Sequence, residues 1–274
     1  MITVAQLLRQ GTARLQTYSD SPALDAELLL GSALNLTRTE LLQHALAVCD
    51  ANVVDFFLRL IALRQRRIPV AYLTGRQAFM DFELKVTPHT LIPRPFTELL
   101  VEEVIMDLQG QSAVIADIGT GSGAIALAVA KHAPQSRVIA TDTSVPALTT
   151  ATSNARRLNL LRRVDWRIGS LLEPLRTDDN VTTIIANLPY LPAAEMNEPS
   201  IRHEPVSALH GGQDGLTLVS ALIQQLQQVP TVTLVALELL PTQADTVGYW
   251  LRLQNFIVST ITDGHRIRGL IAKK

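Results

Sequence analysis

Two short segments of this sequence carry residue types able to act on a ligand: Gly119-Thr120-Gly121-Ser122-Gly123 and Asn187-Leu188-Pro189-Tyr190. The first follows an apolar run, Ala113 to Asp117, and leads directly into a helical pattern, Ala124 to Lys131. Glycines there allow a tight turn and let backbone amides at a helix start approach a ligand without intervening side chains. Asp142 ends the next apolar run, about twenty residues further on, where a carboxylate can accept hydrogen bonds from both hydroxyls of an adenosine ribose. Gly119-x-Gly121-x-x-Ala124 also satisfies the nicotinamide-dinucleotide fingerprint, so the loop and its acidic partner leave the cofactor open.

The second segment selects the chemistry. It closes the run Thr183-Ile184-Ile185-Ala186, the fourth strand of an alternating series, and ligands of doubly wound sheets bind at the carboxyl ends of strands beside the switch point. An amide nitrogen is a poor nucleophile because its lone pair is delocalised into the carbonyl. A catalyst acting on it should grip the NH2 group with acceptors and aim it along the axis of the bond being broken. Asn187 offers a side-chain carbonyl and Leu188 a main-chain carbonyl. Pro189 restricts Leu188 to extended geometry and so fixes the direction of that carbonyl, while Tyr190 can wall a planar group. Transfer of a methyl group from a sulfonium needs no general base at the outset, because the N–H becomes acidic only as the nitrogen turns cationic.

These segments require a scaffold that brings strand ends together, and the pattern supplies one. Residues 1 to about 75 read as helices: one begins at Ser21-Pro22 ahead of Leu24, Leu28 and Leu29, and a second starts between Thr37 and Glu40. A third, from about Asn52 to Arg67, has an apolar stripe of Val53, Phe56, Phe57, Leu60, Ile61 and Leu63, with Arg59, Arg64, Arg66 and Arg67 mostly outside it. From Pro69 to Pro95, strand-like spacing of Phe79, Phe82, Leu84 and Val86 followed by prolines predicts a hairpin. After a helix at about Thr97 to Leu108, strands alternate with helices: Ala113 to Asp117, Arg137 to Asp142, Val164 to Ile168, Thr182 to Asn187, Thr231 to Glu238, Phe256 to Thr262 and Gly269 to Ala272. This is an α/β pattern with a seven-stranded, mostly parallel sheet covered on both faces. The last two strands leave no room for a helix between them, so the final strand should be antiparallel.

Composition narrows the function. With 24 basic and 25 acidic residues the net charge of -1 gives no global field for nucleic acid, and any such contact must be local, as at Arg156, Arg157, Arg162, Arg163 and Arg167. A solvated helix face is the plainer reading of that cluster. The single cysteine, Cys49, rules out an internal disulfide and reads as a buried structural thiol. The six histidines, including His203 and His210, do not pair at ligand spacing, so no metal is expected. The N-terminus lacks a signal-peptide pattern and no long apolar run occurs, which predicts a cytoplasmic chain without membrane contact.

Over most of its length the sequence resembles the release-factor glutamine methyltransferases of the HemK/PrmC type. The resemblance rests on Pro69-Val70-Ala71-Tyr72-Leu73-Thr74-Gly75, Phe79, Leu91-Ile92-Pro93-Arg94-Pro95 with Thr97, Glu98 and Val101, and Asp117 through Ala126. It continues through Asn187 to Tyr190, Glu204-Pro205, Ala208-Leu209 and Gly211-Gly212-x-Asp214-Gly215-Leu216. It implies a Rossmann-like class I methyltransferase domain over 96–274, a hairpin linker over 76–95, and a helical substrate-recognition domain over 1–75. The implied cofactor is S-adenosyl-L-methionine, held by Asp117, Gly119, Thr120, Gly121, Ser122, Gly123, Asp142, Ser170, Leu171 and Asn187. The implied substrate is the glutamine of the Gly-Gly-Gln loop of peptide chain release factors, met by Asn187, Leu188, Pro189 and Tyr190, with no direct nucleic-acid binding.

The chain departs from the family at Leu188, where proline is usual and where RNA adenine methyltransferases carry leucine. It departs again at Phe96, at Leu239-Leu240 and in a shortened Asp263-Gly264-His265-Arg266 segment. Other readings are a glutamine methyltransferase acting on a ribosomal protein, an adenine N6-methyltransferase acting on RNA, a non-catalytic cofactor-binding module, and a nicotinamide oxidoreductase. The last leaves Asn187 to Tyr190 without a role.

Overall fold

The computed structural model describes residues 2–274 and divides into two compact units, Met1–Arg76 and Gln77–Lys274. The first holds five helices: α1 (Val4–Leu15), α2 (Pro22–Leu34), α3 (Arg38–Gln43), α4 (Ala51–Gln65) and α5 (Val70–Thr74). Reciprocal caps start α1 and α3. Thr3 and Gln6 exchange backbone and side-chain hydrogen bonds, as do Thr37 and Glu40, which satisfies amides that the first turn leaves without partners. Leu7, Leu15, Leu29, Leu30, Leu41, Phe57 and Ile61 are fully buried between these helices. Gly11 permits the crossing, since a Cβ there would stand 2.6 Å from the Phe57 ring. Two details of the expected α4 stripe differ. Phe56 is 49% exposed, because the helix turns Phe57, Leu60 and Ile61 inward instead. Arg64 folds back into the bundle, where its Nε donates to Asp25 at 2.7 Å.

The second unit opens with the hairpin β1 (Arg76–Phe79) and β2 (Phe82–Lys85), then α6 (Pro95–Leu108). There follow β3 (Val114–Ile118), α7 (Ala124–His132), β4 (Arg137–Asp142), α8 (Val145–Arg157), β5 (Val164–Ile168), β6 (Thr183–Ala186), α9 (Thr217–Gln225), β7 (Leu234–Glu238), α10 (Ala244–Leu253), β8 (Ile257–Thr262) and β9 (Ile267–Lys273). The seven-stranded sheet runs β5-β4-β3-β6-β7-β9-β8. Strands β3 to β7 are mutually parallel, and β9 lies antiparallel between β7 and β8. The expected antiparallel final strand is therefore present, inserted rather than at the edge. Because β3 has β4 on one side and β6 on the other, chain order reverses at β3 and opens a crevice above the ends of β3 and β6.

The hairpin belongs to the second unit, and one buried side chain fixes it there. The Lys85 amide donates to Asn154 Oδ1 at 2.7 Å, and Asn154 Nδ2 donates to Lys85 O and to Ser122 O, both at 2.9 Å. Asn154, on α8 and 1% exposed, thus ties β2 to the glycine loop. Asn154→Ala leaves the buried Ser122 carbonyl and the part-buried Lys85 backbone groups without these partners, and we expect it to lower the unfolding free energy by about 1–3 kcal/mol in urea titrations.

Candidate active site

Asp117, the fourth residue of β3, sets the glycine loop from beneath. Its Oδ2 accepts from Thr120 Oγ1 at 2.6 Å and from the Ala126 amide at 3.0 Å, pinning the loop to the start of α7. Burial pushes its carboxyl up to about 7, opposed by those two hydrogen bonds and reinforced by the nearby Asp142 charge. Asp117 is 1% exposed and does not line the crevice, so its part is to shape the loop. Gly123 likewise lies outside the crevice. At φ +85° it starts α7, where a Cβ would meet Ala151, Leu127 and Trp166.

The crevice itself measures about 1060 Å³ counted to its open mouth, and gathers most of the remaining residues that the sequence singled out. Gly119, Thr120, Gly121 and Ser122 form one wall, Asp142 and Ser144 the next, Ser170 and Leu171 the far side, and Asn187, Leu188 and Pro189 the end. Gly119 (φ +76°) and Gly121 (φ +57°) take conformations that other residues rarely adopt. The loop amides are largely committed internally. Gly119 and Thr120 donate to Thr141 O, Gly121 to Asp142 Oδ2, and Gly123 to Thr120 O. A pyrophosphate needs free amides and no adjacent carboxylate, and this loop offers the reverse arrangement. The geometry therefore fits a nucleoside cofactor without phosphates better than a nicotinamide dinucleotide.

Beyond Asn187 lies a second cavity, of about 730 Å³, which Asn187 and Leu188 share with the first. Leu91, Arg94, Phe96, Tyr190, Glu238 and Arg268 also line it. Asn187 Nδ2 donates to Thr97 Oγ1 at 3.1 Å, Thr97 Oγ1 donates to Glu238 Oε2 at 2.6 Å, and the Tyr190 hydroxyl donates to Glu238 Oε1 at 3.0 Å. Burial raises the Glu238 carboxyl above its ordinary value, while the bonds from Thr97 and Tyr190 and the Arg94 charge draw it back. Tyr190 is held neutral by burial and by the Glu238 charge. Among the described residues the buried side-chain polar atoms without partners are Asp117 Oδ1 and Trp166 Nε1. Asn187 Oδ1 is not one of them, and Asn187 lines both cavities.

The backbone of Asn187 to Tyr190 is clamped from behind by the segment Gly211 to Gly215. A Cβ on Gly211 would stand 2.6 Å from Pro189 O, and one on Gly215 would collide with Tyr190 O. Gln243 Nε2 completes the clamp by donating to Tyr190 O at 2.9 Å. The glycines at 211 and 215 therefore answer a packing need. Sequence reasoning did not assign roles to Thr97, Glu238, or the pair formed by Arg94 and Glu204 at 2.5 Å. For Glu238 a signal existed: an acidic residue closing β7, at the carboxyl edge of the strand next to β6.

Of the arginine cluster, Arg157 pairs with Glu83 at 3.6 Å, Arg163 donates to Pro134 O at 2.8 Å, and Arg167 is buried between Asp165 and Asp179. Arg156 and Arg162 are exposed. Among the described residues no helix is long and apolar enough to cross a membrane.

Comparison with known proteins agrees with this arrangement. Residues 6–75 match the PrmC N-terminal domain family and residues 95–207 the methyltransferase small domain family. The release factor glutamine methyltransferase of Moorella thermoacetica is 44% identical over 219 residues, spanning 78% of this chain and 77% of that protein. That of Coxiella burnetii is 34% identical over 226 residues, spanning 82% and 81%. Among solved structures, the N-terminal domain of human METTL16 in complex with SAH aligns with a TM-score of 0.51 at 17% identity, covering 70% of this chain and 75% of that one. At that identity the likeness concerns the methyltransferase fold alone. With a glycine loop, Asp142 and the turn after β6 assembled at one crevice, and with relatives that match most of its length, the chain belongs to the release factor glutamine methyltransferase family.

Proposed function

We propose that this chain transfers a methyl group from S-adenosyl-L-methionine to the side-chain amide nitrogen of the glutamine in the Gly-Gly-Gln loop of peptide chain release factors. One observation carries the reading: Asn187 and Leu188, with Leu91 and Ala208, line both cavities, and the Asn187 amide turns its nitrogen to Thr97, which leaves its oxygen on the other side. The first cavity suits the cofactor, with Asp142 for the ribose hydroxyls and Gly119 to Ser122 and Ser170-Leu171 around the remainder. When bound there, the cofactor supplies an electrophilic methyl on a sulfonium, a good leaving group. Asn187 Oδ1 and Leu188 O accept the two N–H bonds of the substrate amide and hold its nitrogen lone pair toward the first cavity. Tyr190 and Phe96 enclose the planar amide within the second, and Pro189 restricts how far Leu188 can swing.

The name carried by the relatives supports the release factor as substrate, and the scarcity of free cations near the second cavity speaks against a nucleic-acid strand. Arg94 is paired with Glu204, and Arg268 pairs with Asp263 at 2.6 Å and lies over Phe96, 4.5 Å from its centroid. The test is to incubate the protein with methyl-labelled cofactor and purified release factor, ribosomal protein or rRNA, then locate the label by mass spectrometry. Label on the Gly-Gly-Gln glutamine is expected. Label confined to RNA or to a ribosomal protein overturns the reading.

The cofactor site makes its own prediction. Asp142→Ala removes the ribose acceptors and frees the Gly121 and Ser144 amides, which donate to Asp142 at 2.8 Å each. We expect about tenfold weaker binding of S-adenosyl-homocysteine in calorimetry. Unchanged affinity would move the ribose elsewhere.

A further inference from the structure

We infer that Thr97 and Glu238 are positioning residues that set which end of the Asn187 amide faces the substrate, and thereby select an NH2-bearing substrate over an acceptor-only one. The inference rests on the amide-methylation reading above.

The argument is a chain of donors and acceptors with one consistent direction. Glu238, at the end of β7, receives two donors: Thr97 Oγ1 at 2.6 Å and the Tyr190 hydroxyl at 3.0 Å. When ionised, the form that its bonds from Thr97 and Tyr190 and the Arg94 charge favour, the carboxylate only accepts, and the Thr97 proton then points to Glu238. The Thr97 oxygen then has lone pairs alone for its other neighbour, and Asn187 must turn Nδ2 toward it, as it does at 3.1 Å. Rotating the Asn187 amide by half a turn would set carbonyl oxygen against hydroxyl oxygen with no proton between them. Oδ1 is thereby held outward as an acceptor. Thr97 (3% exposed) and Glu238 (2% exposed) are both nearly closed to solvent, Thr97 at the wall of the first cavity and Glu238 at that of the second.

The consequence is a choice of substrate chemistry. With Oδ1 presented, the site welcomes a donor such as a carboxamide NH2 and repels a carboxylate, whose oxygens offer no proton. A glutamate in the same peptide loop should be refused although its shape is almost the same. Thr97 lies in the first turn of α6 and Glu238 at the end of β7, so both elements help to decide which way a side chain after β6 points.

The experiment compares Thr97→Val, Thr97→Ser and Glu238→Gln with the unaltered protein in three readouts: kcat and KM toward release factor, affinity for S-adenosyl-homocysteine, and thermal unfolding. Valine keeps the shape but severs the relay. Serine restores the hydroxyl. Glutamine replaces one acceptor of the carboxylate by a donor. We expect Thr97→Val and Glu238→Gln to lower kcat about tenfold with cofactor affinity unchanged, and Thr97→Ser to recover most of the loss. A Thr97→Val protein with full kcat, a serine variant no better than valine, or losses that follow the unfolded fraction alone would overturn the relay while leaving amide methylation intact. An unaltered protein that places no methyl on glutamine would overturn both.

Discussion

Asn187→Ala should leave a folded protein that still binds S-adenosyl-homocysteine but transfers methyl groups about 10²- to 10³-fold more slowly. The size follows from what the side chain does at the wall between the two cavities. Its Oδ1 is one of the two acceptors assigned to the substrate amide, and the nitrogen must be aimed before it can react. Without that grip the amide rotates freely about its last bond, and Leu188 O alone cannot define a line of approach. Folding should be largely spared, because Asn187 is only partly buried and its Nδ2 interacts only with Thr97 and the neighbouring Glu238 carboxylate. Single-turnover transfer with saturating cofactor is the measurement, since it separates the chemical step from product release. Asn187→Asp is a useful companion. Its carboxylate retains acceptors but cannot donate to Thr97, so it should fail as well, through orientation and added charge rather than through loss of an oxygen. Transfer within threefold of the unaltered rate in Asn187→Ala would remove this residue from the centre of the mechanism.

The sequence made the meeting of the glycine loop and Asp142 at one crevice legible because its determinants are local. The glycine loop, the helix that follows it and Asp142 are all fixed by short-range pattern, and strand alternation alone puts them at one edge of a parallel sheet. The same logic placed Asn187 at the end of β6, opposite the loop. What the sequence withheld is long-range. Thr97 and Glu238 lie far from Asn187 in the chain, and they meet it only because β7 neighbours β6 while α6 packs close to the end of β7. No periodicity encodes that meeting. Asp117 adds a contact that the motif does not announce: as a residue of the central strand it accepts from Thr120 and the Ala126 amide and so organises the loop. Phe56 shows the limit of stripe reading, since two adjacent phenylalanines cannot both face one core, and the choice of Phe57 depends on the gap left by Gly11.

The strongest effect on folding should come from Asp179, which lies between β5 and β6 and is distant from the reacting groups. Its carboxylate takes both arms of the Arg167 guanidinium, at 2.5 and 2.8 Å, together with the Arg176 amide at 2.7 Å and Arg137 at 3.0 Å. The Asp179 side chain is 3% exposed and that of Arg167 is 9% exposed. Asp179→Ala therefore strands a charge that the fold has sealed from water, and removal of one partner of such a pair typically costs about 3–5 kcal/mol. The lower end, about 3 kcal/mol, is expected, because Arg167 keeps Asp165 at 2.6 Å and Pro174 O at 2.9 Å. The pH dependence has a definite sign. The hydrogen bonds from Arg167 hold the Asp179 carboxyl far below its ordinary value, so the unfolded chain takes up the proton first as the solution is acidified. The contribution is complete above the unfolded carboxylate value of about 3.9 and drains away as the pH falls below it. Urea titrations at neutral pH and near pH 3 should accordingly show the gap between unaltered protein and Asp179→Ala narrowing in acid. A gap of equal size at both would mean that Asp179 stabilises by packing rather than by charge. Because β5 ends where Gly169, Ser170 and Leu171 line the crevice proposed for the cofactor, weakened cofactor binding in the same variant would trace the damage from this ion pair to the site.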